Sequence, residues 1–316
     1  MEFFSPNANI PFMSWRKISV GISLFLIVAS LLLLATRGLN LALDFTGGTL
    51  VEAEFEQPVE IEEVRAALDK AGFANYTVQS IGGAREAAMR LPPQDGGEQT
   101  VESQRAVAEA VAKALNAANL KAKINRSEFV GPQVGKEMAE DGVIAVVFVI
   151  MTIMLYVAVR FEWRFGVAAI AGEAHDVIIA LGFVSLLGLN FDLTVLAGLL
   201  TVAGYSINDK VVVFDRVREI FRSARKLGPE ETINKAINNT LSRTIITGIT
   251  TFFALFSLYF IGGPVVENFA ITVIFGVTIG TLSSIFFCNP ILLWLGVSKS
   301  DLQVVKKEDP ELASRP

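Results

Sequence analysis

Asp209 stands in the run VAGYSINDKVVVFDRVRE, residues 202–219, where most neighbours are apolar. A carboxylate at membrane depth costs about 3 kcal/mol on insertion scales unless it faces protein, water or a partner charge. A helix that keeps one there is expected to bind or pass an ion. Earlier in the chain, Glu173, His175 and Asp176 interrupt another apolar run, and Glu173 and Asp176, three apart, share a helix face. A third run opens with Ser242-Arg243-Thr244, and Arg243, Thr247 and Thr250/Thr251 form one polar stripe at helical spacing. If the two runs cross antiparallel, Arg243 comes within reach of Asp209. An arginine lowers a carboxylate's pKa while burial raises it, and a group poised between them can take up and release a proton as water access changes. Threonine hydroxyls both donate and accept, which suits a hydrated relay. Asp209 and Arg243 are therefore the expected ion relay, with Glu173, His175, Asp176, Tyr205, Asn208 and Thr247 as supporting candidates.

Plainer readings exist for each group. Asp209 with Arg243 could be a purely structural buried pair, and Glu173, His175 and Asp176 a polar network that packs helices. Lys210 is expected to turn away or to snorkel its ammonium to the surface. Asp215-Arg216 reads as the membrane exit, and Cys288 as a small apolar packing residue.

The elements that must position these groups are long apolar blocks. Hydrophobic residues make up 52% of the chain, and mean hydropathy is +0.50. Six spans are expected: Ile18–Ala35, Val143–Val159, Phe165–Leu187, Leu193–Phe214, Ile245–Ile261 and Ala270–Leu295. Most approach the roughly 20 residues that cross about 30 Å of hydrocarbon. The first, within residues 18–36, reads as a retained anchor because its apolar run is too long for a signal peptide. In the last, Gly276, Gly280 and Ser284 have small-xxx-small spacing, which favours close helix contact.

Short flanks set orientation. Arg16, Lys17, Arg160, Arg164, Arg216, Arg218, Arg222, Arg225, Lys226, Lys299, Lys306 and Lys307 gather on one side, while Gly188–Asp192 and Gly262–Asn268 carry no Lys or Arg. Both termini, residues 1–17 and 296–316, are expected in the cytoplasm, with Arg37 a minor exception outside. The amphipathic connection 217–241 is expected to lie along the inner membrane surface, broken at Gly228-Pro229. The net charge of −5 says little, because the charge is segregated by side. No Walker sequence or other enzyme motif appears, so the chain reads as no enzyme and needs no cofactor beyond an ion gradient. No internal repeat is visible, and nothing favours nucleic-acid binding.

Between the first two spans, residues 39–140 read as one soluble domain. Period-two alternation over Thr49–Phe55, strand candidates at Tyr76–Ile81, Arg85–Leu91 and Leu120–Val130, and helical spacing over Val59–Ala71 and Val101–Ala118 give the order β-α-β-β-α-β. That is the ferredoxin-like pattern, with Gly82-Gly83 and Pro92–Glu98 as loops. The fold class is thus an α-helical polytopic membrane protein with six spans (one before the domain, five over 143–295) and an outer α+β domain.

Several of these segments resemble one family. LDFTGGT at Leu43–Thr49 is similar to the Asp-Phe-x-Gly-Gly signature after the first span of the SecD/SecF protein-export membrane proteins, and VGPQVG at Val130–Gly135 to the element before their second. GYSINDKVVVFDRVRE (Gly204–Glu219) and LSRTIITGITT (Leu241–Thr251) resemble the fourth and fifth spans of the SecF branch, and His175-Asp176-Val177 matches its third. Lys210 departs from the pattern, since many members have a small or uncharged polar residue there. The resemblance implies half of a resistance-nodulation-division architecture in the bacterial inner membrane. SecD would supply six further spans, with YajC, the SecYEG channel, the translocating polypeptide and membrane lipids as partners. It implies a proton- or sodium-driven step that completes polypeptide release into the periplasm. Asp209 and Arg243 would line the ion pathway, and Asp44, Phe45, Gly47 and Gly48 would form a joint between the first span and the outer, periplasmic domain. A passive scaffold for SecD, or half of a small-molecule exporter, are the alternatives.

Overall fold

The computed structural model describes residues 9–81, 83–92, 101–223 and 227–298. Gly82, most of the Pro92–Glu98 loop, Arg225, Lys226, Lys299, Lys306, Lys307 and most of the C-terminal tail lie outside the described residues.

Among the described residues, six helical stretches are long and apolar enough to cross a membrane. They are α1 (Arg16–Thr36, preceded by a 3-10 turn at Phe12–Trp15), α5 (Pro132–Arg160), α6 (Trp163–Leu187), α7 (Leu193–Ser223), α8 (Pro229–Ile261) and α9 (Pro264–Ser283). The last continues through a π-turn at Ser284–Cys288 into α10, Asn289–Trp294. Prolines at the first turns of α5, α8 and α9 lose no hydrogen bond there, because those N–H groups have no helical partner. Gly188, at φ +63°, ends α6: its N–H bonds Ser185 O and that of Leu189 bonds Val184 O.

All six spans fall where the apolar runs place them, but several helices are longer. The stretch 217–241 is not a separate surface helix. Residues 217–223 continue α7 and 229–241 open α8, with Val217, Ile220, Phe221, Ile233 and Ile237 buried in the main bundle core. The amphipathic pattern reflects packing of one helix extension on another.

The α+β domain, 48–130, has strands β2 (Gly48–Phe55), β3 (Thr77–Ser80), β4 (Glu86–Leu91) and β5 (Ala122–Val130) with helices α3 (Ile61–Lys70) and α4 (Val101–Ala117). The antiparallel sheet has order β3-β4-β2-β5. Alternation explains its packing: Val51, Ala53 and Phe55 bury against Val64, Leu68, Val111 and Leu115, while Leu50, Glu52 and Glu54 turn to the other face.

Two short segments that follow spans pair with each other. Strand β1 (Asn40–Leu41), after the first span, lies parallel to β6 (Asn190–Phe191), after the third. Gly38-Leu39-Asn40 and Gly188-Leu189-Asn190 are equivalent in position, and both glycines adopt left-handed φ, +68° and +63°. This short repeat corrects the expectation of none.

The turn after β1 forms a joint. Leu43–Thr46 is one helical turn, α2, and the Asp44 carboxylate accepts the Leu193 N–H at the start of α7 (3.0 Å). Phe45 packs on Phe191 at 5.7 Å between ring centres. Gly47, at φ +67° and ψ 175°, has backbone angles that only glycine adopts readily, and a Cβ there would stand 2.8 Å from Pro132 Cα. A Cβ on Gly48 would overlap Leu91 O. This turn therefore holds the sheet and the start of α5 together through backbone contact.

Candidate functional site

Small residues decide which faces of α6, α7 and α9 meet. A Cβ on Gly276 would overlap Val202, and one on Gly280 would reach 2.8 Å from Ser206 Oγ, so α9 rides closely on α7. That rotation turns Ser206 and Lys210, one helical turn apart, into the bundle centre.

There they meet Asp176. Its Oδ2 accepts hydrogen bonds from Ser206 (2.5 Å), Ser283 (2.7 Å) and the Lys210 ammonium (2.8 Å), and its Oδ1 pairs with His175 Nδ1 at 2.7 Å. Lys210 Nζ also donates to Ser206 Oγ (2.8 Å) and lies 3.3 Å from Glu173 Oε1. Asp176 and Lys210 have no exposed side-chain surface. The Lys210 stem and Cys288 fill the space beside Gly172, where a Cβ would overlap Cys288 Sγ and approach Lys210 Cε to 2.8 Å. The His175 ring stacks on Phe287 at 4.3 Å, and its Nε2 is buried without a partner. Phe287 and Cys288 both lie in the π-turn, a distortion often found at functional sites.

Lys210 therefore neither turns away nor snorkels. Its chain is long enough to reach the surface, but two carboxylates and a hydroxyl hold it inside. Glu173, His175 and Asp176 come together as one cluster, around a lysine that sequence reasoning misplaced. Ser206, Ser283 and Gly172 were missed as well. The available signal was the four-residue spacing of Ser206 and Lys210, which puts both on one face.

Asp209 occupies the adjacent face of α7. The residue is 2% exposed, and its Oδ2 is buried without a hydrogen bond. Arg243 is near enough to act on its charge but makes no ion pair with it, and its side chain lies on the exposed flank of α8. The expected Asp209–Arg243 contact is thus a proximity across α7 and α8 and not a bridge. Tyr205, one turn nearer the start of α7, has its hydroxyl buried beside Thr251 and Thr281, 4.0 Å from the place of a Gly248 Cβ. Thr247 is half-buried, and its carbonyl accepts from Thr250 and Thr251, both at 2.9 Å. Asn208 is exposed, and with Thr201 and Gly204 it makes a polar, open strip on α7 beside Arg243 and Thr250.

At the end of the bundle away from the sheet, basic residues are tied into ion pairs: Arg16–Glu230 (2.9 Å), Arg160–Asp215 (2.5 Å) and Arg218–Glu162 (3.0 Å). Asp215 pairs with Arg160 here, while Val217, Ile220 and Phe221 beyond it on α7 remain in the main bundle core. At the other end, a polar cleft of about 800 Å³ separates the sheet's open face from the helix ends. Arg90 bridges it, donating to Leu41 O (3.1 Å) and Asn40 Oδ1 (3.5 Å). Burial pulls its guanidinium below the usual arginine range, and Asp192 and Asp44 draw it back up.

Fold and site together define a six-span helical membrane protein with an α+β domain inserted after the first span and a charged cluster in its bundle. Residues 110–298 match the family described as protein export membrane protein SecD/SecF, C-terminal, and residues 32–59 match the SecD/SecF GG motif. The chain belongs to the SecD/SecF family, on its SecF branch. It is 43% identical over 317 residues to the protein translocase subunit SecF of Vibrio alginolyticus, covering 100% of this chain and 99% of that one. The SecF of Escherichia coli O157:H7 is 42% identical over 308 residues, 96% of this chain and 94% of its own. The crystal structure of SecDF from Thermus thermophilus, described as a translocon-associated membrane protein, superposes with a TM-score of 0.82 at 38% identity. That match covers 93% of this chain but 39% of the SecDF chain, so the present chain spans well under half of that protein.

Proposed function

We propose that this chain is an ion-motive subunit that uses a proton or sodium gradient to drive late-stage export and release of polypeptides from the SecYEG channel. The observation that carries the proposal is Asp209: a carboxylate buried in a membrane-spanning helix with an unbonded oxygen, beside an arginine that does not neutralise it by contact. A structural aspartate would be expected to have both oxygens satisfied. This one keeps acceptor capacity for an ion, with the Tyr205 hydroxyl one turn further out and the Thr247 segment alongside.

The exposed strip of Thr201, Asn208, Arg243 and Thr250 supports a second half. An arginine facing hydrocarbon is costly, so this flank needs water or protein against it. A six-span SecD partner fits that need, with YajC as a further member of the complex. Both termini are cytoplasmic in this reading, which follows the grouping of basic residues at the Arg16–Glu230 end. The outer domain is a periplasmic ferredoxin-like module, as its strand order and helix placement on one face suggest. Its open face would meet the emerging polypeptide across the polar cleft, while the apolar flanks of α5 and α8 face lipid.

The test is export into vesicles carrying the complete complex. Asp209→Asn should abolish the ionophore-sensitive part of late-stage export while the subunits still co-purify. Wild-type, gradient-dependent export by that variant would favour a passive scaffold and refute the ion role.

A further inference from the structure

The Lys210 ammonium sits in a site built wholly of oxygens. Asp176 Oδ2 and Ser206 Oγ each stand 2.8 Å from Nζ, and Glu173 Oε1 stands 3.3 Å away. An ammonium has three protons and no acceptor, and three oxygens surround this one. Those oxygens come from two helices, α6 and α7, and Ser283 of α9 braces Asp176 from a third. Two carboxylates with hydroxyls are hard ligands of the kind that bind hard cations. The surroundings are shaped for the lysine stem: Gly172 leaves room for Lys210 Cε, and Cys288 closes the far side. Both Glu173 oxygens are buried without a hydrogen bond, Oε1 meeting the ammonium only as an ion pair, so the cage retains unused acceptor capacity.

We infer that Lys210 is a tethered cation occupying a monovalent-cation site between α6, α7 and α9, and that it determines ion specificity by closing that site to free sodium. The charged and titratable groups facing it are Glu173, His175 and Asp176 from α6, Asp209 from α7 and Cys288 from the π-turn. A lysine cannot leave the site, so it balances Asp176 permanently and cannot be exchanged across the membrane. Any ion that moves must then use the Asp209 face, and sodium has no place among the Asp176 oxygens. This inference rests on the ion-coupled reading only where it speaks of coupling; the cation site itself does not.

The test uses the purified full-length chain in detergent, with thermal unfolding followed as sodium replaces choline at constant ionic strength. With Lys210 in place, the Asp209→Asn protein should show no sodium-specific shift. Lys210→Ser, which removes the ammonium and leaves a hydroxyl, should show a saturable sodium-dependent rise in Tm, as expected for a ligand that binds only the folded state. Lys210→Gln keeps a neutral donor to Asp176 and adds a carbonyl oxygen, and it decides the matter in the same titration if the serine variant does not fold. Adding Asp176→Asn to either variant should remove the response, while adding Asp209→Asn should leave it. A saturable sodium shift that persists in Asp209→Asn with Lys210 intact, or none in both Lys210 variants, would overturn the inference. Because the readout is binding, loss of gradient-driven export in the vesicle assay would count against the proposed function without touching this result.

Discussion

At the level of single residues, the pairing of Asp176 with Lys210 has the largest energetic weight. Removing one partner of a buried pair leaves the other charge uncompensated, which costs about 3–5 kcal/mol. Asp176→Asn should therefore lower the melting temperature markedly, and the double variant Asp176→Asn with Lys210→Met should recover much of the loss. Additive losses would show that the two are not coupled. Gly172→Ala should destabilise by about 1–3 kcal/mol, because the new methyl overlaps Cys288 Sγ and crowds the Lys210 stem. Cys288→Ala should return part of that loss; an unchanged Tm for Gly172→Ala would refute the packing described here. Glu173, His175 and Asp176 were legible as unusual because they interrupt an apolar run. The role of Lys210 was not, because a long cationic side chain can reach either the surface or the core. The deciding fact is the rotation of α7, set by Gly276 and Gly280 on a different helix.

Elements tell a similar story. The spans and the six domain elements were readable because hydrophobic period and length are local properties, and their order follows the chain. The β1–β6 pairing was not readable, since two-residue strands have no period and their partners lie 150 residues apart. The extensions of α7 and α8 were misread for a related reason: an amphipathic face looks the same whether it meets lipid headgroups or another helix. The joint at Gly47 gives an element-scale prediction. Its backbone angles and its approach to Pro132 both exclude a side chain, so Gly47→Ala should cost on the order of 2 kcal/mol. The effect should appear as faster protease cleavage near residues 43–48 in the folded protein. Unchanged cleavage would show that the joint tolerates a side chain.

For the whole molecule, the bundle and the α+β domain meet at the close backbone contacts around Gly47 and across a polar cleft of about 800 Å³ that Arg90 bridges. Arg90→Ala should leave the domain folded while widening the distance distribution between spin labels on the sheet and on the outer end of α7; an unchanged distribution would mean that the joint alone sets the domain's position. The exposed strip on α7 and α8 marks the flank where a second half would seat. There the sequence named Arg243 and Asn208 but could not show that they look outward, because exposure depends on how the spans are arranged. The central claim is that the bundle passes an ion through Asp209. Its most direct test is ion uptake by liposomes containing the chain with its SecD partner, measured under an imposed gradient during polypeptide export. Wild type should move ions, and Asp209→Asn should reduce the flux to that of liposomes lacking the complex. Equal flux in the two would contradict the account.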